Sequence, residues 1–406
     1  MHSHSLVRPF LALAFGSALG ACALPSANTG GDDGGPHEEL RAQLVHSVAY
    51  RAVAPSFAAF QVSADALTQR AETYAASIGG EQEAQALDDV RAAWLEAMQA
   101  WQVIEMMQLG PVGPSSTAIG GADRRDEIYS WPSVNTCRVD QELVLAEYGS
   151  NDFISSRLVN TYGLDALEYL LFNASMENTC APQLEINTDG QWEALGEPQI
   201  TARRAAYAAA LAHALASEAA SLATTWSVND GEFTVHLADP RASTSPYQGL
   251  SKALDEIVRA MFYLDLVVKD AKVGVPAGAL NCDSAPCISE LESNFARASK
   301  EEVVANLEGF KLLYFGGSEP STDIGFDDLL VAFDARDTAD KVEVDIEIAL
   351  SSCGTVSPNF AEALLADPTA LDACHAAIRE LTDVLKGDFA TVLMLTIPSE
   401  AAGDAD

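Results

Sequence analysis

The sequence predicts an all-α protein built from two pseudo-symmetric helical-bundle domains. Three observations carry that prediction. Alanine is abundant and apolar residues recur at the 3.6-residue period of a helix, whereas alternating runs of β-branched residues are scarce. Hydrophobic residues make up 48% of the 406 residues, ample for bundle cores, and the length suggests two domains rather than one. Each half also contains a helical stretch of about 25 residues that runs into a Gly/Pro loop. These loops read LGPVGP at 109–114 and VGVPAG at 273–278, as an internal duplication would give. A solenoid is disfavoured because no short repeat period is present.

Taken in order, His37 to Ile78 reads as one long helix, or one broken at Pro55, ending at Gly79-Gly80. Glu81 to Leu109 is a second, stopped by Gly110-Pro111 because proline cannot continue a helix. Val112 to Pro132 is loop-like, and shorter helices follow at Arg138 to Tyr148 and Asp152 to Phe172. Asn173 to Pro198 is irregular. The N-terminal bundle is therefore set at 38–180 and the connection at 181–198. The C-terminal bundle, 199–397, holds helices at Gln199 to Trp226, Pro246 to Lys272, Ser289 to Tyr314, Phe326 to Phe333, Ala339 to Ser351 and Thr369 to Leu395. An acidic tail, 398–406, closes the chain.

The first residues read as an address. Arg8 precedes an apolar run, Pro9 to Ala18, that is too short to span a bilayer, and Leu19-Gly20-Ala21-Cys22 has the small-residue pattern of a lipoprotein cleavage site. The expectation is a signal peptide at 1–21, lipidation at Cys22 and a flexible Gly/Asn/Ser/Asp-rich tether at 22–37. Ala23 rather than Asp after the cysteine points to the periplasmic face of the outer membrane in a Gram-negative envelope. Of the seven cysteines, six then remain, an even number suited to three disulfides in an oxidising compartment. Sequence distance favours Cys282 with Cys287, Cys353 with Cys374, and Cys137 with Cys180. No Cys-x-x-Cys pair or zinc-type His spacing competes with that reading.

There are 59 acidic and 23 basic residues, for a net charge of −36. Nucleic acid is excluded as a partner, since phosphate binding needs clustered Lys and Arg. No polybasic segment holds an anionic membrane either, so the membrane partner is reached through the lipid. The acids are spread along the whole chain, which favours a solvating surface over a cation-attracting patch.

The segment Gly163-Leu164-Asp165-Ala166-Leu167-Glu168 concentrates the chemistry. Leu164, Leu167 and Leu171 form an apolar stripe, Asp165 and Glu168 neighbour each other beside it, and Gly163 lets another backbone approach. An acidic pair three apart on a helix is also a common solvated edge. Trp94 and Trp101 read as core packing, and His213, His236 and His375 as isolated histidines. His-Glu-x-x-His, Gly-x-Ser-x-Gly and Walker-type loops are all missing.

This segment resembles the Gly-x-His-x-x-Glu signature of the imelysin family of bacterial envelope proteins, with Asp165 where the family has His. Other pieces follow in the family's order over residues 40 to 397. They are the aromatic helix with Trp94, Trp101 and Glu105 ending at Gly110-Pro111, IYSWP (Ile128 to Pro132), KVGVPAG (Lys272 to Gly278), LES (Leu291 to Ser293), ANLEGFKLLYFGG (Ala305 to Gly317) and GFDDLL (Gly325 to Leu330). The resemblance implies a duplicated helical fold and an association with iron uptake, alongside a historical peptidase label. Asp in place of His moves a site toward oxygen-preferring cations such as Fe³⁺ or Ca²⁺, or abolishes it. Asp165 and Glu168 are too few ligands alone, so Glu105 and Glu292 are candidates to join them, with Lys272 as a neutralising ion-pair partner and Asn306 as a hydrogen-bonding neighbour. The leading expectation is a non-catalytic, lipid-anchored binding component that takes iron or another divalent or trivalent metal, or an envelope protein partner. The alternatives are an imelysin-type metallopeptidase and a protein-interaction scaffold whose motif is purely structural.

Overall fold

A computed structural model describes residues 37–402 except 151, 230, 283 and 284. The signal segment, Cys22, all but the last residue of the tether and residues 403–406 lie outside the described residues. The protein is 67% helical, with no strand among the described residues.

Glu38–Ser47 runs through a π-helical segment, Val48–Val53, straight into Ala54–Ser77. Pro55 therefore does not break the helix. It stands in the first turn of Ala54–Ser77, and the widened turn before it accommodates the missing N–H and the ring. Ala54–Ser77 packs against both Glu83–Glu105 and Gly196–Thr225. The latter, placed by sequence in the second half, also lies along Leu164–Phe172.

Glu83–Glu105 is the pivot between the halves, because its other side packs on Ser299–Tyr314. Gly309 allows that approach: a Cβ there would stand 2.3 Å from the carbonyl oxygen of Val103. The remaining second-half helices, including Arg336–Gly354 against Asp372–Val384, complete a core in which Trp94, Trp101 and Trp226 are fully buried. Phe57 stacks on Trp226 at 5.8 Å and Phe60 tilts against Trp101 at 5.3 Å.

Three stretches differ from the sequence expectation in ways that matter. Asp152 to Phe172 is not one helix but Phe153–Ser156, a 3₁₀ turn at Val159–Thr161, and Leu164–Phe172. The break is set by Gly163 at φ 93, a conformation open to glycine alone at low cost. Pro246 to Lys272 is Leu250–Met261 followed by a π-helical run, Leu264–Gly274. Ser289 to Tyr314 opens in a 3₁₀ turn, Ile288–Glu290, and becomes α-helical only at Ser299, after a loop in which Ser293 and Arg297 take positive φ values of 44 and 57. The loop's polar groups bond to other elements instead of to a helix of their own.

Disulfides join Cys137 to Cys180, Cys282 to Cys287 and Cys353 to Cys374, the pairings that sequence distance favours. No helix among the described residues is long and apolar enough to cross a membrane.

The close approach at Gly309 makes a prediction. Gly309→Ala will cost about 1–3 kcal/mol of stability by overpacking the contact with Val103. Gly149→Ala, where a Cβ meets nothing within 4 Å, will leave the thermal midpoint unchanged.

Candidate functional site: a buried ion network between the halves

Four elements deliver fully buried polar side chains to one place. Glu83–Glu105 contributes Gln102 and Glu105, three apart on one face; the π-helical run contributes Lys272; the 291–298 loop contributes Glu292; and Ser299–Tyr314 contributes Asn306. The Lys272 ammonium donates to Gln102 Oε1 at 2.6 Å, Glu105 Oε2 at 2.7 Å and Asn306 Oδ1 at 3.0 Å, and stands 2.9 Å from Glu292 Oε1. Gln102 Nε2 donates to Glu292 Oε1 at 2.9 Å, and Asn306 Nδ2 donates to Gln102 Oε1 and to the Gln102 carbonyl, both at 2.8 Å. Arg125 holds the other Glu105 oxygen from Nε at 3.0 Å and Nη2 at 2.7 Å. The rings of Trp131 and Tyr263 each lie 5.8 Å from the Lys272 nitrogen.

Asp165 and Glu168 lie deeper than an edge position. Every residue from Leu164 to Leu171 is buried, so the expected half-exposed margin does not exist. The short helix is enclosed on all sides, with Trp94 Nε1 donating to the Leu164 carbonyl at 2.9 Å. Asp165 accepts from Ser130 Oγ at 2.5 Å and from the Ala166 N–H at 2.9 Å. Glu168 Oε1 accepts two backbone N–H groups, from Phe295 and Ala296, both at 2.8 Å. It thus pins the loop that carries Glu292. The same loop is tied by Ser293 Oγ donating to Glu302 Oε1 and by Ser299 Oγ donating to the Glu292 carbonyl. Gly163 clears the space beside the pair, since a Cβ there would lie 2.7 Å from the Ile128 carbonyl oxygen.

Burial and charge divide the acids into two groups. Burial alone would raise Glu105, but the Lys272 and Arg125 charges outweigh it and hold the carboxyl down to about 2. Lys272 shows the mirror effect, with Glu105 and Glu292 raising it against burial. On the motif side, burial pushes Glu168 up to about 8, with Asp165 and Glu292 adding to the rise and the two backbone N–H groups opposing it. Burial likewise pushes Asp165 up to about 6, against Ser130 and Ala166. Glu302 is driven well above the carboxylate range by burial and then by Glu292. Near neutral pH, then, Glu105 is ionised while Glu168 holds a proton.

One oxygen of Glu292 and one of Glu302 are buried without a hydrogen-bond partner. Among the described residues no three His, Cys, Asp or Glu side chains are already disposed around a common metal position. His213 is exposed and pairs with Glu72, and His236 with Glu232, outside the network. A larger groove of about 1160 Å³ beside His46 and Asp323 shares no lining residue with it.

Sequence reasoning named Glu105, Lys272, Glu292 and Asn306, which the structure brings into direct contact, and Asp165 and Glu168, which adjoin them through the loop. It missed Gln102, Arg125, Ser130 and Glu302. Gln102 had a readable signal, lying one helical turn before Glu105 on an otherwise apolar face; the others come from separate segments.

Two predictions follow from these electrostatics. A carboxyl raised in the folded state stabilises fully below its unfolded value, here 4.5, and loses that contribution as pH rises through about 8. Glu168→Gln keeps the two N–H bonds without the ionisation, so its thermal midpoint will fall less than wild type between about pH 5 and about pH 9. Lys272→Met leaves buried Glu105 and Glu292 without their ammonium and will cost about 3–5 kcal/mol in chemical denaturation.

The comparisons agree with this architecture. The Imelysin family profile matches residues 49–386. An imelysin-like protein from Psychrobacter arcticum 273-4 superposes with a TM-score of 0.65 at 17% identity, covering 90% of this chain and 99% of that one. A provisionally named iron-regulated protein A precursor from Parabacteroides distasonis ATCC 8503 superposes with a TM-score of 0.67 at 16% identity, covering 89% and 97% respectively. No curated protein matches the sequence. At these identities the two structures establish a shared fold, and the profile match supplies the family. With its helical fold and motif glutamate in place, this chain belongs to the imelysin family.

Proposed function

We propose that the chain is an imelysin-like cell-envelope lipoprotein and a non-catalytic, periplasm-facing binding component in the uptake of iron or another metal. The supporting observation is a surplus of buried acid. Glu105, Asp165, Glu168, Glu292 and Glu302 are all buried, and the cations acting on them among the described residues are Lys272 and Arg125. Glu168 meets that imbalance by holding a proton, which a bound cation would displace, and burial pushes Glu302 the same way. An all-oxygen donor set favours hard cations, and Glu292 carries a buried oxygen with no hydrogen-bond partner. Asp165, Glu168, Glu292 and Glu302 are the residues that would hold it. The iron-regulated name carried by the Parabacteroides neighbour supports iron as the cargo. The Leu19-Gly20-Ala21-Cys22 pattern supports the lipid anchor on the periplasmic face of the outer membrane.

A scaffold reading draws on one observation, that Glu168 bonds backbone rather than an ion. Calorimetric titration of the full chain with anaerobic Fe²⁺ and with Ca²⁺ separates the two. Metal binding predicts micromolar affinity that rises between about pH 6 and about pH 8 as protons leave, and a loss of at least about tenfold in Glu168→Gln and Glu302→Gln. No heat from the wild-type protein, or unchanged affinity in both folded variants, would favour the scaffold.

A further inference from the structure

Beside the ion network, but not part of it, lies a cleft of about 310 Å³ between the Trp131-Pro132 turn and the π-helical run. A second hollow of about 210 Å³ shares Gln108, Pro114, Tyr263 and Val267 with it. Together they approach the size of a small-ligand site, which is mostly apolar with a few placed polar groups. Val112, Pro132 and Ala271 supply apolar wall, and Trp131 and Tyr263 supply aromatic faces.

The polar groups decide what the cleft can take. Arg125 lines it, yet all its donors are engaged: Nε and Nη2 on Glu105, Nη1 on Asp126 and on the Trp131 carbonyl, and Nη2 again toward Tyr263 Oη. Arg259, at the second hollow, is held by Glu256 and by the Gln108 carbonyl. In the cleft beside Trp131 an anion therefore finds no ready guanidinium; Arg259, whose Nη1 stands outside these bonds, lines only the second hollow. Acceptors are in better supply. Asp123 and Asp126 line the cleft as exposed carboxylates; Asp123 uses one oxygen on the Ser115 N–H, and Asp126 one on Arg125. Gln108 lines both hollows, is only 9% exposed, and makes no side-chain hydrogen bond among the described residues. Its amide faces the two hollows with no protein partner and can bond a group that enters them.

We infer that this cleft binds a small organic cation, an amine with a flat apolar body. The apolar body would lie against Trp131 and Tyr263, whose rings already stand 5.8 Å from the Lys272 nitrogen, with the ligand's ammonium turned outward and hydrogen-bonded to Gln108 and Asp126. A net charge of −36 concentrates such cations around the protein. The inference does not rest on the metal reading, and chelator-treated protein tests it alone.

Benzylammonium, benzoate and benzyl alcohol are matched in shape and differ in charge, so calorimetric titration of the full chain with each isolates the charge preference. Benzylammonium is expected to bind saturably below about 1 mM, and the other two at least about tenfold more weakly. Gln108→Leu and Asp126→Asn should each weaken benzylammonium about fivefold or more, and Trp131→Leu should abolish binding. Asp126 is 55% exposed, so its variant folds normally and keeps the test valid if the others do not. Benzoate binding as tightly as benzylammonium overturns the inference, as does the absence of saturation up to about 10 mM. Affinity unchanged in Asp126→Asn overturns it too.

Discussion

The Lys272 ammonium is the constraint around which the rest is arranged. A charge that is wholly buried must be compensated on every side, and here the compensation comes from four side chains on three other elements. Glu105 and Gln102 fix the long helix of the first half, Asn306 fixes the helix packed against it, and Glu292 fixes the intervening loop. The geometry works because Gly309 lets those two helices approach within backbone contact. Placing the ammonium elsewhere would strand at least two acids, so the junction of the halves has little freedom to slide.

The acids that Lys272 does not reach give the junction its chemical character. Glu105 is a permanently charged member of a matched network, held low by two cations. Glu168 is stored in protonated form and Glu302 is pushed upward by burial, both within the field of Glu292. A buried carboxyl that keeps its proton at neutral pH is poised to exchange it, and that is the physical content of the binding role proposed for this member of the imelysin family. Glu168 also has a structural duty, since its two backbone bonds hold the loop that delivers Glu292. The two roles are compatible: a protonated carboxyl still accepts N–H donors on its carbonyl oxygen.

Arg125 links this interior to the neighbouring cleft. It closes on Glu105 inward and on Asp126 and the Trp131 carbonyl outward, leaving the cleft with acceptors and aromatic faces as its available chemistry. The interior and the cleft are thus chemically distinct neighbours that share one guanidinium.

Local signals in the sequence carried the helical class and most members of the network, favoured the disulfide pairs that form, and marked Gly163 as a point of close approach, though not as a helix break. Each of these is local: periodicity along one helix, cysteine spacing, or a residue type placed against a Gly/Pro stop. Even where local reasoning erred, it erred at positions such as Ser289 to Ser299, where a helix-compatible sequence is unwound by tertiary bonds to Glu168, Ser299 and Glu302. Which acid keeps a proton and which is paired is settled by contacts between distant segments of the folded chain. The groups bonded to the carboxyls of Glu105 and Glu168 lie 20 to 167 residues away along the chain. Ionisation depends on the summed field of all those neighbours, and no spacing along one chain segment encodes that sum.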